Sequence, residues 1–160
     1  MVATVIATFF GAGFVPVAPG TAGAAAAIPF AILLDHLGTL SYWLALVGLT
    51  GIGIWAADVY DEAWETHDAQ KIVVDEAAGL LLTVAFVPRT AFNLVVGFGL
   101  FRLFDTWKPW PVRWADREVN GGLGSMLDDL LAALYAGGLL YIIERTGLMA
   151  LLTGYLSSRF

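Results

Sequence analysis

The sequence contains no cysteine. Disulfides, thiolate metal sites and a cysteine nucleophile are excluded together. Charge is scarce as well: 14% of the 160 residues are Asp, Glu, Lys or Arg, against about 25% in ordinary soluble domains. Basic residues are the scarcer kind, 8 against 14 acids, and the net charge of −6 argues against a nucleic-acid partner. No sustained short repeat or low-complexity tail is present. The apolar start has no basic lead, so no cleavable signal peptide is expected.

What fills the space is apolar: 59% of residues are hydrophobic and the mean hydropathy is +0.77. A soluble chain this short has too much surface to cover with so few charges. The expectation is one domain over residues 1–160, an all-α integral membrane bundle of about five short spanning helices. Residues 1–14 carry no charge and fall short of the ~20 residues that cross a bilayer. They predict an interfacial or re-entrant helix, with an ordinary packing helix as the alternative.

The expected spans are 22–37, 40–57, 72–87, 91–104 and 126–143. Pro16, Pro19 and Gly20 break the chain before the first, and Thr21 is a candidate N-cap. Pro109 and Pro111 prevent a regular helix after the fourth, where Trp107, Trp110 and Trp114 suit the headgroup level. Ser125 is the expected cap of the fifth. These spans sort the polar segments onto two sides. Residues 15–21, 58–71 and 105–125 share one side, and Lys71, Lys108, Arg113 and Arg117 lie there. The positive-inside bias makes that side cytoplasmic.

The same folding gathers every unusual polar group on that side. The Gly20-Thr21 turn, His67-Asp68, Asp75-Glu76, Asp105, Lys108 and Asp128-Asp129 all fall at cytoplasmic helix ends. Ionised groups in membrane segments are costly and usually face a polar cavity or a partner. Asp128-Asp129, read in a helical first turn, also complements the helix dipole. Four or five carboxylates around one point need a cation, and with no thiol and little histidine Mg²⁺ fits better than Zn²⁺. Lys108 and Arg113 beside them would hold phosphate oxygens. Backbone amides at Gly20-Thr21 and Gly122–Ser125 would add an anion nest. Other phosphatase plans find no support: there is no DxDx nucleophile pattern and no Ser-Gly-His element.

At this point a resemblance enters. The chain resembles the phosphatidylglycerophosphatase A family of bacterial membrane lipid phosphatases. The likeness runs through PVAPGTAG (16–23), HDAQKIVVDEAAG (67–79), FRLFDTWKPWPVRWADREVNGGLG (101–124) and MLDDLLAALYA (126–136). The FD-x-x-KPWP-[IV]-RW-x-D block followed by GG-x-G-x-M-x-DD is the specific part. The resemblance implies Mg²⁺-dependent removal of the terminal phosphate of phosphatidylglycerophosphate, giving phosphatidylglycerol in phospholipid biosynthesis. It places that reaction at the cytoplasmic face of the bacterial inner membrane, in a multi-pass protein. Two features depart from the family pattern. A basic N-terminal lead is missing, and DDLLAALYA stands where DD-x-x-AG is common; alanine is small enough to keep close packing.

The resulting assignment makes Asp75, Glu76 and Asp129 metal ligands, with Asp105 and Asp128 next and in catalytic roles. Lys108, then Arg113, binds phosphate, with Gly20, Thr21 and Gly122 contributing backbone donors. His67, or a carboxylate freed from the metal, orients or deprotonates the attacking water. The rival from another class is a small cation transporter or channel, since intramembrane carboxylate pairs are typical of ion paths. Against it, the acids gather on one side and line no route across.

Overall fold

The computed structural model describes residues 1–65 and 69–147. His67-Asp68 and the apolar tail beyond residue 147 lie outside the described residues. Among the described residues there are seven α-helices and one 3-10 turn, and no strand. They are α1 (Val2–Ala7), a 3-10 turn (Ala12–Phe14), α2 (Pro19–His36), α3 (Thr39–Trp64), α4 (Val74–Val84), α5 (Ala91–Trp107), α6 (Val112–Glu118) and α7 (Gly121–Arg145).

The all-helical expectation holds, and the five longer helices fall where the apolar runs are. Their lengths differ in an informative way. Helices α3, with 26 residues, and α7, with 25, are long and apolar enough to cross a membrane. At ~1.5 Å per residue each spans more than the ~30 Å hydrocarbon layer. Helix α4 has only 11 residues and covers about half that thickness. It is instead the centre of the bundle: all of its residues except Glu76 and Leu82 are buried. It packs on α2, α3, α5 and α7.

Small side chains let the helices approach α4 this closely. Ala24, Ala27 and Ala31 form the inner stripe of α2, and Ala132, Ala133, Ala136 and Gly137 that of α7. Close contact of this kind is how helices associate where lipid removes the hydrophobic drive between them. The outer faces are apolar too, with Leu40, Leu44 and Val47 of α3 and Leu134 and Ile142 of α7 exposed.

Helix α1 is shorter than the expected 1–14 helix. Thr8 closes it and the backbone turns through Phe9, Phe10 and Gly11, all at positive φ. It packs on α3, and the Ala7 carbonyl accepts the Val73 N–H at 2.8 Å. That bond ties the start of the chain to the segment leading into α4.

Candidate active site

Asp75 and Glu76 occupy the first turn of α4. Acids there suit the helix dipole, and Asp75 Oδ1 accepts the Glu76 N–H at 3.0 Å. The dipole does not account for Asp128-Asp129. Helix α7 begins at Gly121, not at Met126, so these acids lie about two turns inside it. Both are buried. The earlier start has a physical cause. A Cβ on Gly122 would come within 2.3 Å of the Ile54 carbonyl oxygen, so only glycine lets the first turn lie on α3. The Gly122 N–H then donates to Asp58 Oδ1 at 2.6 Å. Ser125 therefore sits within the helix, not at its cap.

Asp75, Glu76 and Asp129 converge, each offering a carboxylate oxygen within 4.8 Å of the others. Glu76 Oε2 and Asp129 Oδ2 are buried with no hydrogen-bond partner. Buried like charges without donors are strongly unfavourable unless a cation joins them. A hard, all-oxygen donor set with unused oxygens fits a divalent cation such as Mg²⁺. Helix α2 closes the floor of this site. A Cβ at Gly20 would meet Glu76 Oε1 at 2.0 Å, so glycine there makes room for the carboxylate.

Two cations stand beside the acids. Arg102 Nη1 is 2.6 Å from Asp105 Oδ2, one turn along α5, and 3.9 Å from Glu76 Oε1. Lys108 ends α5 with φ 47°, a left-handed cap that turns its side chain back toward the site. Its ammonium bonds Asp128 Oδ2 at 2.6 Å and also Asp116. Burial alone would push the Lys108 ammonium down, but the Asp116 and Asp128 carboxylates outweigh it and hold the group above its ordinary value. The adjacent acids of α7 thus face different neighbours: Asp129 the carboxylate group, Asp128 the lysine.

All these side chains line one cavity of about 550 Å³ at one end of the bundle. The cavity brings together Gly20, Asp75, Glu76, Asp105, Lys108, Asp128 and Asp129 from the sequence assignment. Thr21 is not a cap: it is the third residue of α2, after Pro19 and Gly20, and does not line the cavity. Arg113 is exposed and also off the cavity, its Nη2 lying 3.5 Å from the Trp107 carbonyl. Gly122 has its amide committed to Asp58. His67 lies outside the described residues.

Three residues were missed by sequence reasoning. Arg102 carried no assignment, although its i,i+3 spacing from Asp105 was visible. Asp116 sits inside the tryptophan-rich block, eight residues from the lysine it pairs with. Asp58 gave no signal, because its partner is 64 residues away.

A family model described as phosphatidylglycerophosphatase A matches residues 5–144. The chain is 40% identical over 139 residues to phosphatidylglycerophosphatase A of Escherichia coli K12, covering 86% of this chain and 81% of that protein. It is 34% identical over 141 residues to phosphatidylglycerophosphatase A of Haemophilus influenzae Rd, covering 87% and 86%. It is also 42% identical over 139 residues to a Bacteroides thetaiotaomicron protein named "Putative phosphatidylinositol-3-phosphatase", covering 82% and 86%. No solved structure matches.

Proposed function

The chain belongs to the phosphatidylglycerophosphatase A family, and from that premise we propose that it hydrolyses the terminal phosphate of phosphatidylglycerophosphate. The products are phosphatidylglycerol and inorganic phosphate. The observation that carries this reading is the meeting, in one cavity, of three carboxylates, two of them with unpartnered buried oxygens, and a lysine. Such a cavity suits a phosphomonoester dianion accompanied by a cation.

Asp75, Glu76 and Asp129 would hold Mg²⁺. A bound Mg²⁺ would supply charge neutralisation at the phosphoryl oxygens. Lys108 binds the phosphate. Its ammonium is preset in the cavity by Asp116 and Asp128, and the incoming phosphate displaces part of that pairing. Arg102, held by Asp105, is the second cation for phosphate oxygens. The backbone donors in this reading come from the N-terminus of α2 at Gly20, where free N–H groups suit an anion. Asp128 or Asp105 takes the proton of the attacking water, with His67 as the other candidate base.

The cavity lies at the end of the bundle that also carries Lys71, Lys108, Arg113 and Arg117, which supports a cytoplasmic orientation. The complete membrane arrangement we infer is multi-pass, in the bacterial inner membrane, with α2 and α5 joining α3 and α7 in spanning. The Bacteroides relative favours a second reading of the headgroup, an inositol in place of the glycerol. A transporter is disfavoured, because the acids collect at one end of the bundle and form no path across it.

The test is phosphate release by the purified protein from phosphatidylglycerophosphate, in Mg²⁺ and then in EDTA, beside phosphatidylinositol 3-phosphate. Release in Mg²⁺ that stops in EDTA is the expected result. No release from phosphatidylglycerophosphate in Mg²⁺ overturns the reading, and release from the inositol lipid alone selects the second one.

A further inference from the structure

Arg113 poses a question that the cavity does not answer. It belongs to the most distinctive block of the sequence, yet its side chain is exposed and off the site. Its neighbours on α6 share that placement. Val112 and Ala115 are fully buried against the bundle. Arg113, Trp114 and Arg117 are exposed, and the two arginines stand one turn apart on the same side. Asp116, the acid nearest them, is turned away to Lys108. Glu118 is the other acid of this helix, also exposed.

The turn before α6 extends the same surface. Trp107, at the end of α5, is 62% exposed, Trp110 in the turn 79% and Trp114 on α6 51%. The turn is held in place: the Tyr135 hydroxyl donates to the Trp110 carbonyl at 2.9 Å, and the Tyr135 ring stacks on Phe104 at 5.5 Å. Two guanidinium groups interleaved with three tryptophans, on a turn tied to α7 through Tyr135, match the phosphate and glycerol level of a bilayer. Tryptophan prefers that level, and guanidinium binds phosphate through paired donors.

We propose that α6 and the turn before it form a binding surface for anionic phospholipids of the surrounding bilayer, separate from the phosphatase cavity. Arg113 and Arg117 engage lipid phosphates, and the three tryptophans seat the surface at headgroup depth. Lys108 lies in the same turn with its side chain on the cavity side, so this surface gathers anionic lipid beside the site. That consequence rests on the lipid-phosphatase reading; the binding itself does not.

The test uses the full chain in phosphatidylcholine nanodiscs containing either brominated phosphatidylglycerol or brominated phosphatidylcholine at equal mole fraction. Tryptophan quenching by the anionic lipid is expected to exceed quenching by the neutral lipid. Arg113→Gln/Arg117→Gln is expected to abolish the difference, since each cation near the surface favours anionic lipid roughly fivefold. Arg145→Gln, at the other end of the bundle, is expected to leave it unchanged. Equal quenching in the unaltered protein, or a preference surviving in the double variant, overturns the proposal. If the double variant does not fold, Arg117→Gln alone decides: a reduced preference supports the surface and an unchanged one overturns it. Phosphate release in the same nanodiscs reports separately on the enzymatic reading, because quenching does not depend on turnover.

Discussion

The two ends of the bundle treat charge in opposite ways. At the end away from the cavity, one arginine meets one aspartate. Arg89 Nη1 lies 2.9 Å from Asp35 Oδ1, its guanidinium stacks 4.4 Å from the Tyr42 ring centroid, and Nη2 donates to the Ala85 carbonyl at 3.1 Å. The Tyr42 hydroxyl donates to the Leu81 carbonyl at 2.7 Å. This cluster ties α2, α3 and α4 together with no charge left over. At the cavity end, Asp61, Asp75, Glu76, Asp105, Asp116, Asp128 and Asp129 line the cavity with two cations, Arg102 and Lys108. Charge balance of the first kind stabilises a fold; imbalance of the second kind weakens it and is kept where a charged ligand completes it.

The contrast can be broken most directly at the acids. Asp129→Asn or Glu76→Gln should lower phosphate release by a factor on the order of 100 to 1000, the size of a lost electrostatic contribution to the transition state. Because each removes a repelling charge, the melting temperature in detergent should stay level or rise. A fall in both activity and melting temperature would mean that these acids hold the fold and not a ligand.

Lys108→Ala comes next. The loss of a preset phosphate donor predicts about a 100-fold drop in kcat/KM. Activity close to that of the unaltered protein would remove Lys108 from the phosphate site. At the far end, Arg89→Ala should do the reverse. It should cost roughly 1–2 kcal/mol of stability, the sum of a part-exposed ion pair, a cation–π contact and a hydrogen bond. Turnover per folded molecule should not change. A loss of turnover in the folded fraction would join the two ends functionally and dissolve the comparison.

The smallest effect is expected from Asp116→Asn. Its pairing with Lys108 is partly exposed, at 28% and 32% of the two side chains, so its strength is limited. Removing it should free the ammonium for phosphate and lower KM by about two- to fivefold. A rise in KM would assign Asp116 to positioning the lysine instead.

Much of the fold was legible in the chain. Long apolar runs broken by Pro16, Pro19, Pro88 and Pro109 place the helices, although α3 runs on to Trp64 past the expected end at 57 and α7 starts at Gly121, ahead of the expected 126. Acids inside apolar segments mark the site. Helix ends were less legible. Thr21 looked like a cap, but Pro19 at the first position already begins α2, with Ala18 in a left-handed turn before it. Ser125 looked like a cap because Asn120, Gly121 and Gly122 read as a turn. Contact with α3 makes them helical. The role of Arg113 was misplaced for a related reason. Proximity in sequence to Lys108 suggested a shared site, but Lys108 lines the cavity while Arg113, on α6, is exposed and does not.

The sequence by itself determined that this protein is helical and suited to a membrane, and that its carboxylates collect at one end. Those outcomes follow from composition and from the alternation of apolar runs with polar breaks, which act locally. Only the tertiary structure decided which carboxylates meet. Asp129 joins Asp75-Glu76 and Asp128 turns to Lys108 because α7 starts at Gly121, lies on Ile54 and is capped by Asp58. The rotation of one helix about its axis separates those two neighbours, and contacts made 64 residues away in the chain set that rotation.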